Sequence, residues 1–124
     1  MSANYSLSVV PDQMNLSSGV YATFGTTEIN SLYGSGTNVD GATISTGRYV
    51  TLTVDRTIVP NSNFSKFYFY VNGIEQKSVE PDLSDNIESF IFPVYLRGNY
   101  TLQVSGYYDG KYYYSQEFSF NVVN

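Results

Sequence analysis

The sequence predicts an all-β sandwich. Three observations carry that expectation. Apolar and polar residues alternate at period two in several short runs, as in Val50, Leu52 and Val54 with Thr51 and Thr53 between them. Turn dipeptides, Asn72-Gly73 and Asp109-Gly110, separate such runs. No stretch places its apolar residues at helical spacing. The chain has 124 residues, which suits a single domain. Roughly seven to nine antiparallel strands fit that length.

Taken in order, Tyr5 to Val10 alternates loosely and stops at Pro11, so it reads as a first strand. Residues 1–46 are otherwise the less regular part of the domain, a segment that could add a strand to a neighbouring subunit. Val20 to Phe24 is a short strand closed by Gly25, and Thr26 to Leu32 a weak one. Gly34 to Gly41 is a polar, glycine-rich stretch without the Gly-Lys-Ser/Thr ending of a phosphate loop, so it is read as a flexible loop. Arg48 to Val59 is the strongest strand, with Thr51 and Thr53 expected to face outward.

Pro60 to Asn63 forms a turn. In Ser65 to Val71, Phe67, Phe69 and Val71 point inward, while Tyr68 and Tyr70 point out. Asn72-Gly73 favours a tight two-residue turn. That register sets Val71 against Ile74, Phe69 against Gln76 and Tyr68 against Lys77. Glu75 to Val79 is then an edge strand, guarded by Glu75 and Lys77. Glu88 to Leu96 is a strand with Phe90 and Phe92 on one face, and Pro93 marks it as an edge or a bulge.

The last two strands, Gly98 to Val123, raise a question of parity. Leu102 and Val104 must share the core with Phe118 and Phe120. A two-residue loop at Asp109-Gly110 sets Leu102 opposite Glu117 and throws the two apolar sets onto opposite faces. A three-residue loop, Tyr108-Asp109-Gly110, keeps them together and pairs Tyr100 with Phe118. The sequence therefore predicts a type I turn with Gly110 as a left-handed bulge residue. It also turns Tyr112 and Tyr114 inward and Tyr113 outward.

Composition excludes several function classes. There is no Cys and no His, which removes thiol chemistry, disulfides, the commonest general base and the commonest metal ligand. Net charge is −5 and the six basic residues are scattered, so nucleic acid is not an expected partner. No apolar run approaches the ~20 residues of a membrane span, and no signal peptide is visible, so membrane insertion is not expected either. No cofactor is implied.

Val50-Thr-Leu-Thr-Val54, Phe67 to Gly73 and Gly98-Asn-Tyr-Thr-Leu102 together resemble strands of the immunoglobulin-like and fibronectin-III-like sandwich domains of surface and virion proteins, which implies an immunoglobulin-like sandwich of seven to nine strands, with a jelly roll as the alternative. Val50-Thr-Leu-Thr-Val54 looks like their second strand, with Val54 in the place of the first Cys. Phe67 to Gly73 looks like the third strand, with Phe69 in the place of Trp. Gly98-Asn-Tyr-Thr-Leu102 looks like the start of the sixth, which makes Tyr100 the tyrosine-corner residue and Leu102 the stand-in for the second Cys.

Candidate binding residues are tyrosines. Tyr107, Tyr108 and Tyr113 cluster at the hairpin tip; Tyr68 and Tyr70 form an outward pair with Lys77 opposite. Exposed Tyr offers large contact area at low entropic cost and keeps a hydroxyl for hydrogen bonding. The plainer reading is β-propensity and cross-strand packing. Glu80, Asp82, Asp85 and Glu88 lack the pattern of a Ca²⁺ loop and read as a solvated acidic stretch, so no metal site is assigned. Four sequons begin at Asn4, Asn15, Asn63 and Asn99.

The expectation is a non-enzymatic structural or recognition module at the outer surface of a virion, pilus or cell. Its partners would be copies of itself or other surface or virion proteins. The alternative is a carbohydrate-binding module that stacks glycans on the same tyrosines.

Overall fold

The computed structural model describes Leu16 and residues 19–28, 37–56, 64–81 and 87–124. Among these lie ten strands, slightly more than the sequence predicts. They are β1 (Val20–Gly25), β2 (Thr37–Asn38), β3 (Thr43–Ser45), β4 (Tyr49–Asp55), β5 (Lys66–Val71), β6 (Ile74–Val79), β7 (Ile87–Pro93), β8 (Gly98–Tyr108), β9 (Lys111–Tyr114) and β10 (Phe118–Val123). Two sheets form, one ordered β2-β1-β4-β7 and the other β3-β10-β8-β5-β6, with β9 paired to β8. The fold is an all-β sandwich.

The alternating runs explain the core. Val50, Leu52 and Val54 from the first sheet meet Phe67, Phe69, Leu102 and Val104 from the second, all at most 1 % exposed. Phe69 lies across the gap from Phe90, with ring centroids 6.3 Å apart. Burying such side chains contributes about 1.5–3 kcal/mol each. Phe90 and Phe92 stack at 5.3 Å on one face of β7, which is an edge strand, as Pro93 implies.

Several expectations need correction. Thr51 and Thr53 do face away from Val50, Leu52 and Val54, yet both are buried, and Thr53 Oγ1 has no hydrogen-bond partner among the described residues. The less regular N-terminal part contributes β1, β2 and β3, and through these strands it belongs to both sheets. Part of the glycine-rich loop is β2, and the three residues of β3 run parallel to β10, a departure from a purely antiparallel sandwich. Thr26 to Glu28 is not strand, and the remainder of that expected strand, Ile29 to Leu32, lies outside the described residues. The expected strand at Tyr5 to Val10 and the turn at Pro60 to Asn63 lie outside the described residues, as do Asp82 and Asp85.

Both hairpins turn in two residues. Asn72 and Gly73 have φ of 52° and 78°, and Asp109 and Gly110 have φ of 50° and 82°. Positive φ at both central positions is the type I′ geometry, which matches the twist of the flanking strands. The β5–β6 pairing starts at Val71 and Ile74 as expected, but a bulge between Phe69 and Tyr70 shifts the rest. Phe69 therefore opposes Lys77, and Tyr68 opposes Ser78.

The β8–β9 turn is not the three-residue loop. Tyr108 pairs with Lys111 and Tyr107 with Tyr112. The parity problem is solved further along the strand. Beyond Ser115, Gln116 and Glu117 the pairing resumes one residue out of step, with Phe118 opposite Leu102 and Phe120 opposite Tyr100. Phe118 and Phe120 thus join Leu102 and Val104 in the core, each 4 % exposed or less. Ser115 holds the irregularity together. Its N–H donates to the Val104 carbonyl at 2.8 Å, and its Oγ accepts from the Val104 N–H at 3.0 Å. The same Oγ donates to the Gln116 carbonyl, and Gln103 Nε2 donates to the Ser115 carbonyl, both at 2.9 Å.

Candidate functional site

Moving the irregularity from the turn to Ser115–Glu117 decides which tyrosines meet solvent. On β8 the positions Leu102, Val104 and Gly106 face the core, so Gln103, Ser105 and Tyr107 face out. Directly opposed residues share a face. Tyr68 opposes Ser105, Tyr70 opposes Gln103, Tyr112 opposes Tyr107, and Tyr114 opposes Ser105 from the other side. Five tyrosines therefore occupy one outer face of the second sheet: Tyr68, Tyr70, Tyr107, Tyr112 and Tyr114.

Their rings touch across strands. Centroids lie 5.0 Å apart for Tyr107 and Tyr112, 5.7 Å for Tyr68 and Tyr112, and 6.5 Å for Tyr70 and Tyr114. Within each pair the ring planes are inclined to one another by 60°, 57° and 39° respectively. Ser105, fully buried, floors the cluster and shares a 3.0 Å hydrogen bond with the Tyr70 hydroxyl. Lys66 Nζ sits 5.4 Å from the Tyr68 ring centroid. Tyr112 and Tyr114 remain 50 % and 56 % exposed, while Tyr68, Tyr70 and Tyr107 are half-buried beneath them.

The Tyr68 phenol is held above its usual pKa, first by lost hydration, then by the Tyr112 hydroxyl and nearby charge including Glu75. On the other sheet Tyr21 donates to Asp55 Oδ2 at 3.1 Å. Burial raises its pKa, and the Asp55 carboxylate adds to the shift through that hydrogen bond and its charge.

The sequence-derived site is thus partly reassigned. Tyr68, Tyr70 and Tyr107 stand on the face. Tyr108 and Tyr113 do not: both pack inward on Phe64, at 6.4 and 6.1 Å between centroids. Tyr112 and Tyr114, expected in the core, are the most exposed of the group. Both errors have one cause, the loop length at Asp109-Gly110. Lys77 is not beside the pair either; it crosses the open side of the sandwich to donate to the Ser89 carbonyl at 2.8 Å. Among the described residues no group of three or more acidic side chains is placed to hold a metal ion.

A second feature escaped the sequence reading. On the same outer face, the 40–43 turn rises beside β10 and β8 to border a shallow, open groove of about 410 Å³. Its sides carry Thr43, Asn99, Thr101, Ser119 and Asn121. No protein-family profile, curated protein or solved structure matches this chain.

Proposed function

We propose that this protein is a non-enzymatic recognition or structural module of an outer surface, that of a virion, pilus or cell. Its contact surface is the face bearing Tyr68, Tyr70, Tyr107, Tyr112 and Tyr114. The observation that carries the reading is the gathering of five tyrosines, with two of them at least half exposed, on one rigid sheet. Aromatic residues with a polar tip are enriched at protein–protein contacts. Interlocked, tilted rings suit a partner with relief of its own. A glycan stacks best on coplanar neighbouring rings, and rings inclined to one another by 39° to 60° offer it a less continuous platform.

An immunoglobulin-like course belongs to the same proposal. It is supported by the neighbour order β1-β4-β7 in one sheet and β10-β8-β5 in the other. The Tyr100 hydroxyl donates to the Leu96 carbonyl at 2.7 Å, in the manner of a tyrosine corner. Val54, Phe69 and Leu102, in the places of Cys, Trp and Cys, are all fully buried.

Sedimentation velocity over a wide concentration range tests the contact face. The wild-type chain is expected to self-associate, or to bind a protein of the particle or envelope from which it is purified. The Tyr112→Ala/Tyr114→Ala double variant keeps its melting temperature and loses that association. A wild-type chain that stays monomeric and binds no such protein, while its tyrosine resonances shift with glycans, contradicts the reading.

A further inference from the structure

We propose that the groove between the 40–43 turn and the β8–β10 pair is a binding site for a neutral oligosaccharide, separate from the tyrosine contact face. The groove has four properties that together select this class of ligand. Its volume, about 410 Å³, falls in the range of small-molecule sites. Its lining includes no Lys, Arg, Asp or Glu, so nothing in it compensates the charge of a phosphate, sulfate, carboxylate or amine. Its outward side chains are amides and hydroxyls: Asn99 and Thr101 alternate along β8, Ser119 and Asn121 along β10, and Thr43 closes the row on β3. Such groups both donate and accept, which matches the hydroxyls of a sugar and is wasted on an apolar ligand.

The fourth property is availability on a fixed frame. Within the described residues no side-chain hydrogen bond engages Thr43, Asn99, Thr101 or Asn121. The wall beside them is nevertheless rigidly tied. The Gly41 N–H donates to the Ser119 carbonyl at 2.6 Å, the Asn121 N–H to the Ala42 carbonyl at 3.0 Å, and the Ser119 N–H to Asp40 Oδ1 at 2.8 Å. The Asp40 carboxylate is thereby committed to the wall rather than to the groove. Asn72 Oδ1 accepts from the Thr101 N–H at 2.9 Å and braces the other side. Gly41 has φ of 79° and no atom within 4 Å of a Cβ position, so the rim is open at the turn.

Backbone amide spectra of the full ¹⁵N-labelled chain test the site. The probes are linear hexasaccharides of glucose, mannose and N-acetylglucosamine, with a sulfated hexasaccharide as the charged control. At least one neutral probe is expected to give saturable shifts centred on Gly41, Thr43, Asn99, Thr101 and Asn121. Asn121→Ala weakens that binding by about fivefold to tenfold, as loss of one or two hydrogen bonds implies. Thr43→Trp fills the groove and abolishes it, whereas Tyr112→Ala leaves it unchanged. Retention of the dispersed spectrum shows that each variant folds. The proposal is overturned if no neutral probe gives saturable shifts, if the sulfated probe binds as well or better, or if the shifts centre on Tyr112 and Tyr114. Asn121→Ala leaves self-association through the tyrosine face untouched, so the two readings fail separately.

Discussion

Tyr100 shows how one hydroxyl fixes the entry to a strand. Its ring stacks on Phe120 at 5.2 Å with an 8° tilt, and its oxygen donates to the Leu96 carbonyl. Tyr100→Phe keeps the stack and removes only the hydrogen bond. Urea denaturation should show a loss of about 1 kcal/mol; an unchanged midpoint would mean that this hydrogen bond contributes nothing. Two other phenols carry a pH signature. Tyr21 and Tyr68 both have pKa values raised above the ordinary 10.0. A raised value means that the fold prefers the protonated phenol. The stability this contributes is complete below the unfolded value of about 10 and is lost as pH rises through the folded values. Titration of tyrosinate absorbance should reveal late-ionising phenols, and Asp55→Asn should move one of them, Tyr21, back toward the ordinary value. Legibility at this scale was good where local alternation decides, as for Val50, Leu52 and Val54. It was poor where the partner is distant, as for Thr51 and Thr53, whose burial no local pattern announces.

At the scale of elements, the final hairpin is the instructive case. That Leu102, Val104, Phe118 and Phe120 share one face was legible, because alternation and the demand for a single core leave no other choice. Where the chain absorbs the odd residue was not legible. The turn and the strand are both able to do it. Asp109-Gly110 satisfies its own preference for a type I′ turn, and the cost passes to Ser115–Glu117, where a serine hydroxyl replaces the missing ladder bonds. Ser115→Ala strips the Val104 N–H of its acceptor in a buried setting. The expected loss is about 1–3 kcal/mol in denaturant midpoint experiments, and a neutral result would show that another group takes over. The β5–β6 hairpin repeats the lesson. Its turn was legible from Asn72-Gly73, while the bulge between Phe69 and Tyr70 has no comparable signal in the residues.

At the scale of the whole molecule, one turn length sorts the tyrosines into two populations. Tyr108 and Tyr113 close an end of the core with Phe64 and Phe67, whereas five others form the outer face. Gly106 lies under Phe64: an added Cβ would stand 2.6 Å from Phe64 Cδ1. Phe64 is boxed in by Phe67, Tyr108 and Tyr113 and has little room to yield. Gly106→Ala should therefore cost about 1–3 kcal/mol, read as a lowered melting temperature. If the variant melts like the wild type, Phe64 is not packed as described. The class of the fold was legible from β-alternation and turn dipeptides. The composition of the candidate face was half legible, because Tyr68 and Tyr70 depend on local alternation alone and Tyr112 and Tyr114 depend on a register set elsewhere. The polar groove was not legible at all, since it needs β3 laid parallel to β10, a contact between residues almost eighty positions apart. Hydroxyl-radical footprinting of the dilute, dissociated chain, read by mass spectrometry at each tyrosine, tests the central assignment most directly. Tyr112 and Tyr114 should be modified more heavily than Tyr108 and Tyr113; strong modification of Tyr113 with protection of Tyr112 and Tyr114 would contradict it.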